Sequence, residues 1–320
     1  MIQYLQAGFI ISLFFQIVKM FLSFFSPGKE DFLKLTDLGT VRRLLADHGA
    51  APEKRFGQNF LISERTVNAI ADGCGASSED GILEIGPGIG VLTVALCERY
   101  KKVVSVEIDK KMVSVLEDTT SECGNFMLIN DDILNVDLKA LIAEHFNGMH
   151  VTVCANLPYY ITSPIIMYLL ESGAVFDNIT VMIQREVADR LTAKPGTPDY
   201  GSITPAVLYY AEPEKILSVP SGCFYPAPKV DSAVVRMRLR RDPRYEPKDR
   251  ELMFRIIRYA FLQRRKTLAN ALSADKSLDK QTVSEAIAHS GLDPRVRGES
   301  LSLADFRNLS DAMTAITEKN

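Results

Sequence analysis

The strongest constraint on this chain is a regular alternation that begins near residue 81. Five short apolar runs recur, Gly81 to Ile85, Val103 to Val106, Phe126 to Ile129, Val151 to Cys154 and Ile179 to Ile183. Short runs rich in Val, Ile and Leu are the pattern of strands buried on both faces. The intervals between them are long enough for crossover helices, so the strands are predicted to lie mostly parallel in one sheet covered on both sides. That is an α/β fold. Val207 to Tyr210 and Ala233 to Met237 read as two further strands joined through proline-rich turns.

Ahead of the alternation, Leu35, Leu38, Val41, Leu44 and Leu45 recur at helical spacing and stop at Gly49, and a second helical pattern runs through Val67, Ile70 and Ala71. From Glu251 the pattern is helical to the end, in segments 251–272, 280–290 and 302–317. This predicts a small all-helical C-terminal domain.

Composition narrows the chemistry. Five cysteines, at 74, 97, 123, 154 and 223, form no C-x-x-C pair, a reduced pattern that fits a cytoplasmic protein. Four histidines, at 48, 145, 150 and 289, show neither metal-ligand spacing nor a partnered nucleophile, so no metal is expected. The net charge is only -3, yet residues 229–266 carry thirteen Lys and Arg against five Asp and Glu. The near-neutral total conceals a polarised molecule.

Residues 1–30 are a hydrophobic extension unlike the rest. Between Ala7 and Phe25 fourteen of nineteen residues are apolar, enough length for a membrane span. No Lys or Arg precedes the run and no A-x-A site follows it, which fits a secretory signal poorly. A translated upstream leader, a membrane anchor and a docked helix remain as readings, and any membrane contact is confined to residues 7–25.

Glu84-Ile85-Gly86-Pro87-Gly88-Ile89-Gly90 follows the first strand and precedes a helix near Leu92, where glycines let a ligand approach the backbone. A dinucleotide fingerprint wants Gly or Ala at 91, and Val91 stands there. Glu107 ends the second strand, placed to accept both ribose hydroxyls. Asp132 closes the third, placed to accept from an adenine amino group, with Ile108 and Ile133 as apolar covers. Three strand ends thus converge on one adenosine, and a loop with no pyrophosphate to hold suits S-adenosyl-L-methionine better than NAD, which stays an alternative.

Asn156-Leu157-Pro158-Tyr159 follows the fourth strand. An exocyclic adenine nitrogen is a poor nucleophile because its lone pair is delocalised into the ring. The Asn156 side-chain oxygen and the Leu157 carbonyl can hold the two amino hydrogens and stabilise positive charge growing on nitrogen. Pro158 restricts the turn that aims that carbonyl. Tyr159 offers a face for stacking a flipped base, and Phe224, in the proline-stiffened loop from Cys223 to Ser232, is the candidate for the opposite side. The proton can leave after methyl transfer, so no strong base is required, in keeping with the few histidines.

Taken together, Phe56 to Leu61, the loop at 84–90, Glu107, Asp132, Asn156 to Tyr159 and Phe224 to Ser232 resemble the ribosomal small-subunit RNA adenine dimethyltransferase family, in motif order from about residue 35 to the C-terminus. The resemblance implies a Rossmann-like class I methyltransferase domain over 31–242 and a helical RNA-binding domain over 243–320. It implies N6,N6-dimethylation of two adjacent adenosines near the 3′ end of small-subunit rRNA, in an immature small ribosomal subunit, by a monomeric enzyme. The family's donor-binding positions fall on Asn59, Leu61, Gly86, Glu107, Asp132 and Asn156, to which Gly88 is added from the loop. Its catalytic loop falls on Asn156 to Tyr159, its aromatic clamp on Tyr159 and Phe224, and its rRNA-facing tail on Arg264, Arg265 and Lys266. Rivals are the related large-subunit rRNA dimethyltransferase that confers antibiotic resistance, a non-catalytic RNA-binding assembly factor, and a Rossmann oxidoreductase.

Overall fold

Central strands buried on both faces explain the architecture. In the computed structural model, which describes residues 34–53, 57–241 and 246–318, seven strands form one sheet in the order β4-β3-β2-β5-β6-β9-β7. These are β2 (Gly81–Ile85), β3 (Lys102–Glu107), β4 (Phe126–Asn130), β5 (Val151–Asn156), β6 (Asn178–Gln184), β7 (Ala211–Val219) and β9 (Ser232–Leu239). The first five are parallel and β9 and β7 are antiparallel. The extension at 1–30 and the boundary at 242/243 lie outside the described residues, among which no helix is long and apolar enough to cross a membrane.

Side chains of period two divide between two cores. Leu83, Val104, Val153, Val181 and Val235 face one, packed with Phe146, Leu169 and Phe176. Ile82, Val103, Cys154, Met182 and Val234 face the other, packed with Val41, Ile70, Leu92 and Met112. All five cysteines are free thiols. A two-stranded ribbon stands apart from the sheet: β1 (Phe60–Leu61) pairs antiparallel with β8 (Phe224–Tyr225), Phe60 opposite Tyr225 and Leu61 opposite Phe224.

Two expectations are corrected. Val207 to Tyr210 is not a strand but the second half of the Ile203–Tyr210 helix. A short apolar run reads the same in a buried helix as in a strand, and Pro205 is tolerated because it falls in the first turn, where N–H groups lack intrahelical acceptors. The true strand, β7, was hidden by its polar sequence and Pro213, both natural on a sheet edge. The helix expected over 251–272 is two, Arg250–Leu262 and Leu268–Leu272, because Gln263 leaves helical geometry at φ -130°, ψ 61°.

The C-terminal helices, including Lys280–His289 and Leu303–Thr317, enclose a third core of Ile256, Ile257, Leu272, Ile287, Phe306 and Leu309. Leu208 and Tyr209 pack against it from the sheet side. The 194–201 loop ties the two regions: the Tyr200 hydroxyl, fully buried, donates to the Leu301 carbonyl at 2.7 Å, and the Gly196 N–H donates to the Glu299 carbonyl at 2.7 Å. The Tyr200 ring meets Phe261 edge-on at 5.6 Å. Tyr200→Phe keeps the ring but leaves the Leu301 carbonyl without its partner; urea unfolding is expected to show a loss of about 1–3 kcal/mol.

Candidate active site

The reversal of strand order between β2 and β5 sets the position of the site. From β2 the chain adds β3 and β4 on one side, then returns to add β5 and β6 on the other. Loops leaving the carboxyl ends of β2 and β5 therefore diverge, and a crevice opens between them. Register places Ile85 beside both Val106 and Ala155, so Gly86, Glu107 and Asn156 emerge side by side.

The cleft there has a volume of about 1130 Å³, counting its open mouth. Its lining includes Asn59, Leu61, Gly86, Gly88, Glu107, Ile108, Asp132, Ile133, Asn156, Leu157, Pro158 and Tyr159. All nine expected donor-site residues and the first four of the five expected catalytic ones thus share one concavity. Phe224 does not line it: only 3% exposed, it belongs to the core beneath the β1–β8 ribbon.

The glycines differ in what they permit. Gly86 and Gly90 both hold positive φ, +65° and +85°. A Cβ on Gly90 would meet the Thr119 hydroxyl at 2.8 Å, whereas a Cβ on Gly86 would meet nothing within 4 Å. Gly90 is needed for packing. Gly86 leaves bare backbone against an open cavity.

Around this loop the carboxylates are held by the fold. Glu107 is buried, its two oxygens accepting from the N–H groups of Gly88 at 3.2 Å and Asp109 at 2.8 Å. Burial nonetheless raises its pKa, against those bonds. Asp132 accepts from the Leu134 N–H at 3.0 Å; Ile108 is exposed and Ile133 buried. On the far wall, the Gln58 amide donates to Asp109 at 2.9 Å and accepts from the Glu53 N–H at 2.8 Å, fastening the segment before β1 across the cleft.

Asn156 is oriented by that same segment. Its amide nitrogen donates to the Asn59 carbonyl at 3.2 Å, while Asn59 donates to the Gly57 carbonyl at 2.9 Å. No described residue occupies the Asn156 side-chain oxygen. Tyr159 is pinned through its hydroxyl, 2.6 Å from that of buried Ser232, and burial raises its pKa, so it stays protonated. The Thr162 hydroxyl donates to the Pro158 carbonyl at 2.9 Å and fixes the turn.

The model of the ribosomal RNA adenine dimethylase family matches residues 50–315. The chain belongs to that family. It is therefore an enzyme that dimethylates adenine in ribosomal RNA. Ribosomal RNA small subunit methyltransferase A of Lachnoclostridium phytofermentans is 48% identical over 262 residues, 81% of this chain and 90% of the relative. Its namesake in Geobacillus thermodenitrificans is 47% identical over 279 residues, 86% of this chain and 95% of the relative. Among solved structures, a dimethyladenosine transferase from Plasmodium falciparum superposes with a TM-score of 0.66 at 25% identity, over 78% of this chain and 95% of its own. The 23S rRNA methyltransferase ErmE superposes at 0.62 and 26%, over 80% and 100%. The α/β Rossmann-like fold with a helical C-terminal region is borne out.

The expected rRNA contacts stand apart from the cleft, in the turn after the Arg250–Leu262 helix. Arg264 is committed internally, 3.2 Å from Glu299 and donating to the Pro198 carbonyl at 3.1 Å. Arg265 and Lys266 are exposed and have no ion pair among the described residues. Elsewhere in the basic stretch positive charge is also neutralised: Arg236 meets Glu214 at 2.6 Å, Arg240 meets Glu212 at 3.0 Å and Arg241 meets Asp177 at 2.6 Å. Those acids lie outside the basic stretch.

Sequence reasoning passed over two cleft residues. Tyr160 follows the Asn156–Tyr159 turn with no motif of its own. Glu84 was read only as the start of the glycine loop; it is fully buried, its Oε2 accepting from Thr93 at 2.8 Å and Ser105 at 2.6 Å. Burial pushes its pKa up from 4.5 to about 7. The folded chain thus holds this proton more tightly than the unfolded chain does, so the stabilisation is full below pH 4.5 and is lost as pH rises through 7. Glu84→Gln is expected to gain stability over the parent between pH 5 and pH 8 in urea titrations; a constant difference across that range would mean an ordinary carboxylate.

Proposed function

We propose that the chain dimethylates the N6 amino groups of two adjacent adenosines near the 3′ end of small-subunit rRNA, in an immature small subunit, working as a monomer. The observation that carries this reading is the fixed amide of Asn156: with its nitrogen engaged by Asn59, its oxygen is left for an incoming amine. The names of the 48% and 47% identical relatives favour the small subunit as substrate. ErmE is nearly as close in structure, so the fold alone does not discriminate between the two subunits.

The cleft fits S-adenosyl-L-methionine on its own terms. Bare backbone at Gly86 opens onto a cavity, and Glu107 keeps lone pairs beyond its two backbone bonds, enough to accept a pair of ribose hydroxyls. When bound, the donor supplies an electrophilic methyl group on a sulfonium. Asn59, Leu61, Gly86 and Gly88 would line its amino-acid end, Asp132 would accept from its adenine amino group, and Ile108 and Ile133 would cover the ring.

The protein's own contribution is alignment and electrostatics. The Asn156 oxygen and the Leu157 carbonyl accept the two hydrogens of the target amine, turning its lone pair toward the cleft and stabilising the cationic nitrogen that forms. Pro158 and Thr162 keep that carbonyl in place. Tyr159 stacks on the extruded base, its ring held by Ser232. Phe224 would reach the opposite face only if the β1–β8 ribbon parted. Arg265 and Lys266 would neutralise rRNA phosphates, with Arg264 bracing the turn that presents them.

Asn156→Ala is expected to lower kcat by about 10²–10³-fold, the loss typical of removing one transition-state hydrogen-bonding group. Retention of small subunits in a filter assay should stay within about twofold. The assay uses small and large subunits from cells lacking both modifications. Methylation of the large subunit alone would select the resistance-type enzyme instead, and full activity of the variant would remove Asn156 from the chemistry.

A further inference from the structure

We infer that Tyr160 is a second stacking platform, a binding site for the nucleobase next to the adenosine being methylated. The inference rests on the function proposed above and deepens it. Base extrusion leaves a neighbour with one face stripped of its stacking partner, and an aromatic side chain beside the entrance is the simplest replacement.

Tyr160 has the required position. It lines the cleft, yet 61% of it is exposed, making it one of the few large apolar side chains that the fold leaves in solvent. Its hydroxyl has no partner among the described residues, in contrast to Tyr100, Tyr159, Tyr168 and Tyr200, each of which is hydrogen-bonded. No core depends on it. The ring passes close over Gly57, where a built Cβ would lie 3.4 Å from its Cδ1 and 3.7 Å from its Cε1. The backbone beneath it is fixed, Ile161 donating from its N–H to the Pro158 carbonyl at 3.3 Å as the Thr162–Glu171 helix begins.

Direction completes the argument. Tyr159 reaches toward Ser232 on β9, whereas Tyr160 lies against Gly57 in the segment before β1. Two aromatic rings thus leave one turn toward different segments of the chain, their Cα atoms about 3.8 Å apart. Both rings line the cleft, one tied down by its hydroxyl and the other left largely in solvent, so each is free to take a different base. A π-face is indifferent to methylation at N6, so the same platform would receive the neighbour before or after its own modification.

The test is steady-state kinetics on unmethylated small subunits, with S-adenosylhomocysteine affinity measured in parallel by calorimetry. Tyr160→Ala and Tyr160→Leu are expected to raise KM for the subunit about tenfold, the effect of losing one base–aromatic contact, with kcat and S-adenosylhomocysteine affinity within about twofold. Tyr160→Phe should restore the parent KM. An unchanged KM in the Ala and Leu variants overturns the inference. So does a Phe variant as impaired as Ala, which would point to the hydroxyl, or a parallel loss of S-adenosylhomocysteine affinity, which would make Tyr160 a wall of the donor site. If the parent enzyme itself leaves small subunits unmethylated, the proposed substrate fails first and the platform loses its ligand with it.

Discussion

Parallel pairing of β2 with both β3 and β5 is the constraint on which the rest depends. Parallel neighbours deliver their carboxyl ends to the same edge, so residues far apart in the chain are collected without any long loop reaching across the molecule. Gly86, Glu107, Asp132 and Asn156 each stand at or just beyond a strand end. The buried faces that hold these strands in register also fix the distances among the side chains that follow them. Chemistry and stability share one set of hydrogen bonds.

Because strand ends are local features, much of the site was legible in the linear chain. A glycine loop after one apolar run, an acidic residue closing each of the next two and an Asn-Leu-Pro-Tyr turn after the fourth need only the order of strands to be brought together. The parallel sheet itself followed from run length and interval. What could not be read was anything decided by a tertiary partner. Arg264 looked like its two cationic neighbours until Glu299 and the Pro198 carbonyl were placed beside it. Phe224 carries the motif of a clamp, but its exposure depends on the two-residue ribbon it forms with Leu61.

The remaining errors share a cause. Val207 to Tyr210 satisfies strand and helix patterns equally, and only packing against Phe254 and the C-terminal core selects the helix. β7 is hard to read because an edge strand buries little and pairs its Glu214 with Arg236 of β9 and its Glu212 with Arg240 just beyond it, rather than with a core. Tyr160 was invisible for the opposite reason: it belongs to no buried pattern, and its significance lies in being left out. Local periodicity reports what is buried; it is silent about what is withheld.

The β1–β8 ribbon has a consequence for the birth of the enzyme. Residue 60 finds its partner only at residue 225, so the β1 wall of the cleft is braced by a segment about half the chain away. Translation therefore delivers the glycine loop and the Asn156–Tyr159 turn before the strand that braces β1 has been made. A polypeptide halted before β8 already carries every residue that lines the cleft, but not the strand that braces one of its walls.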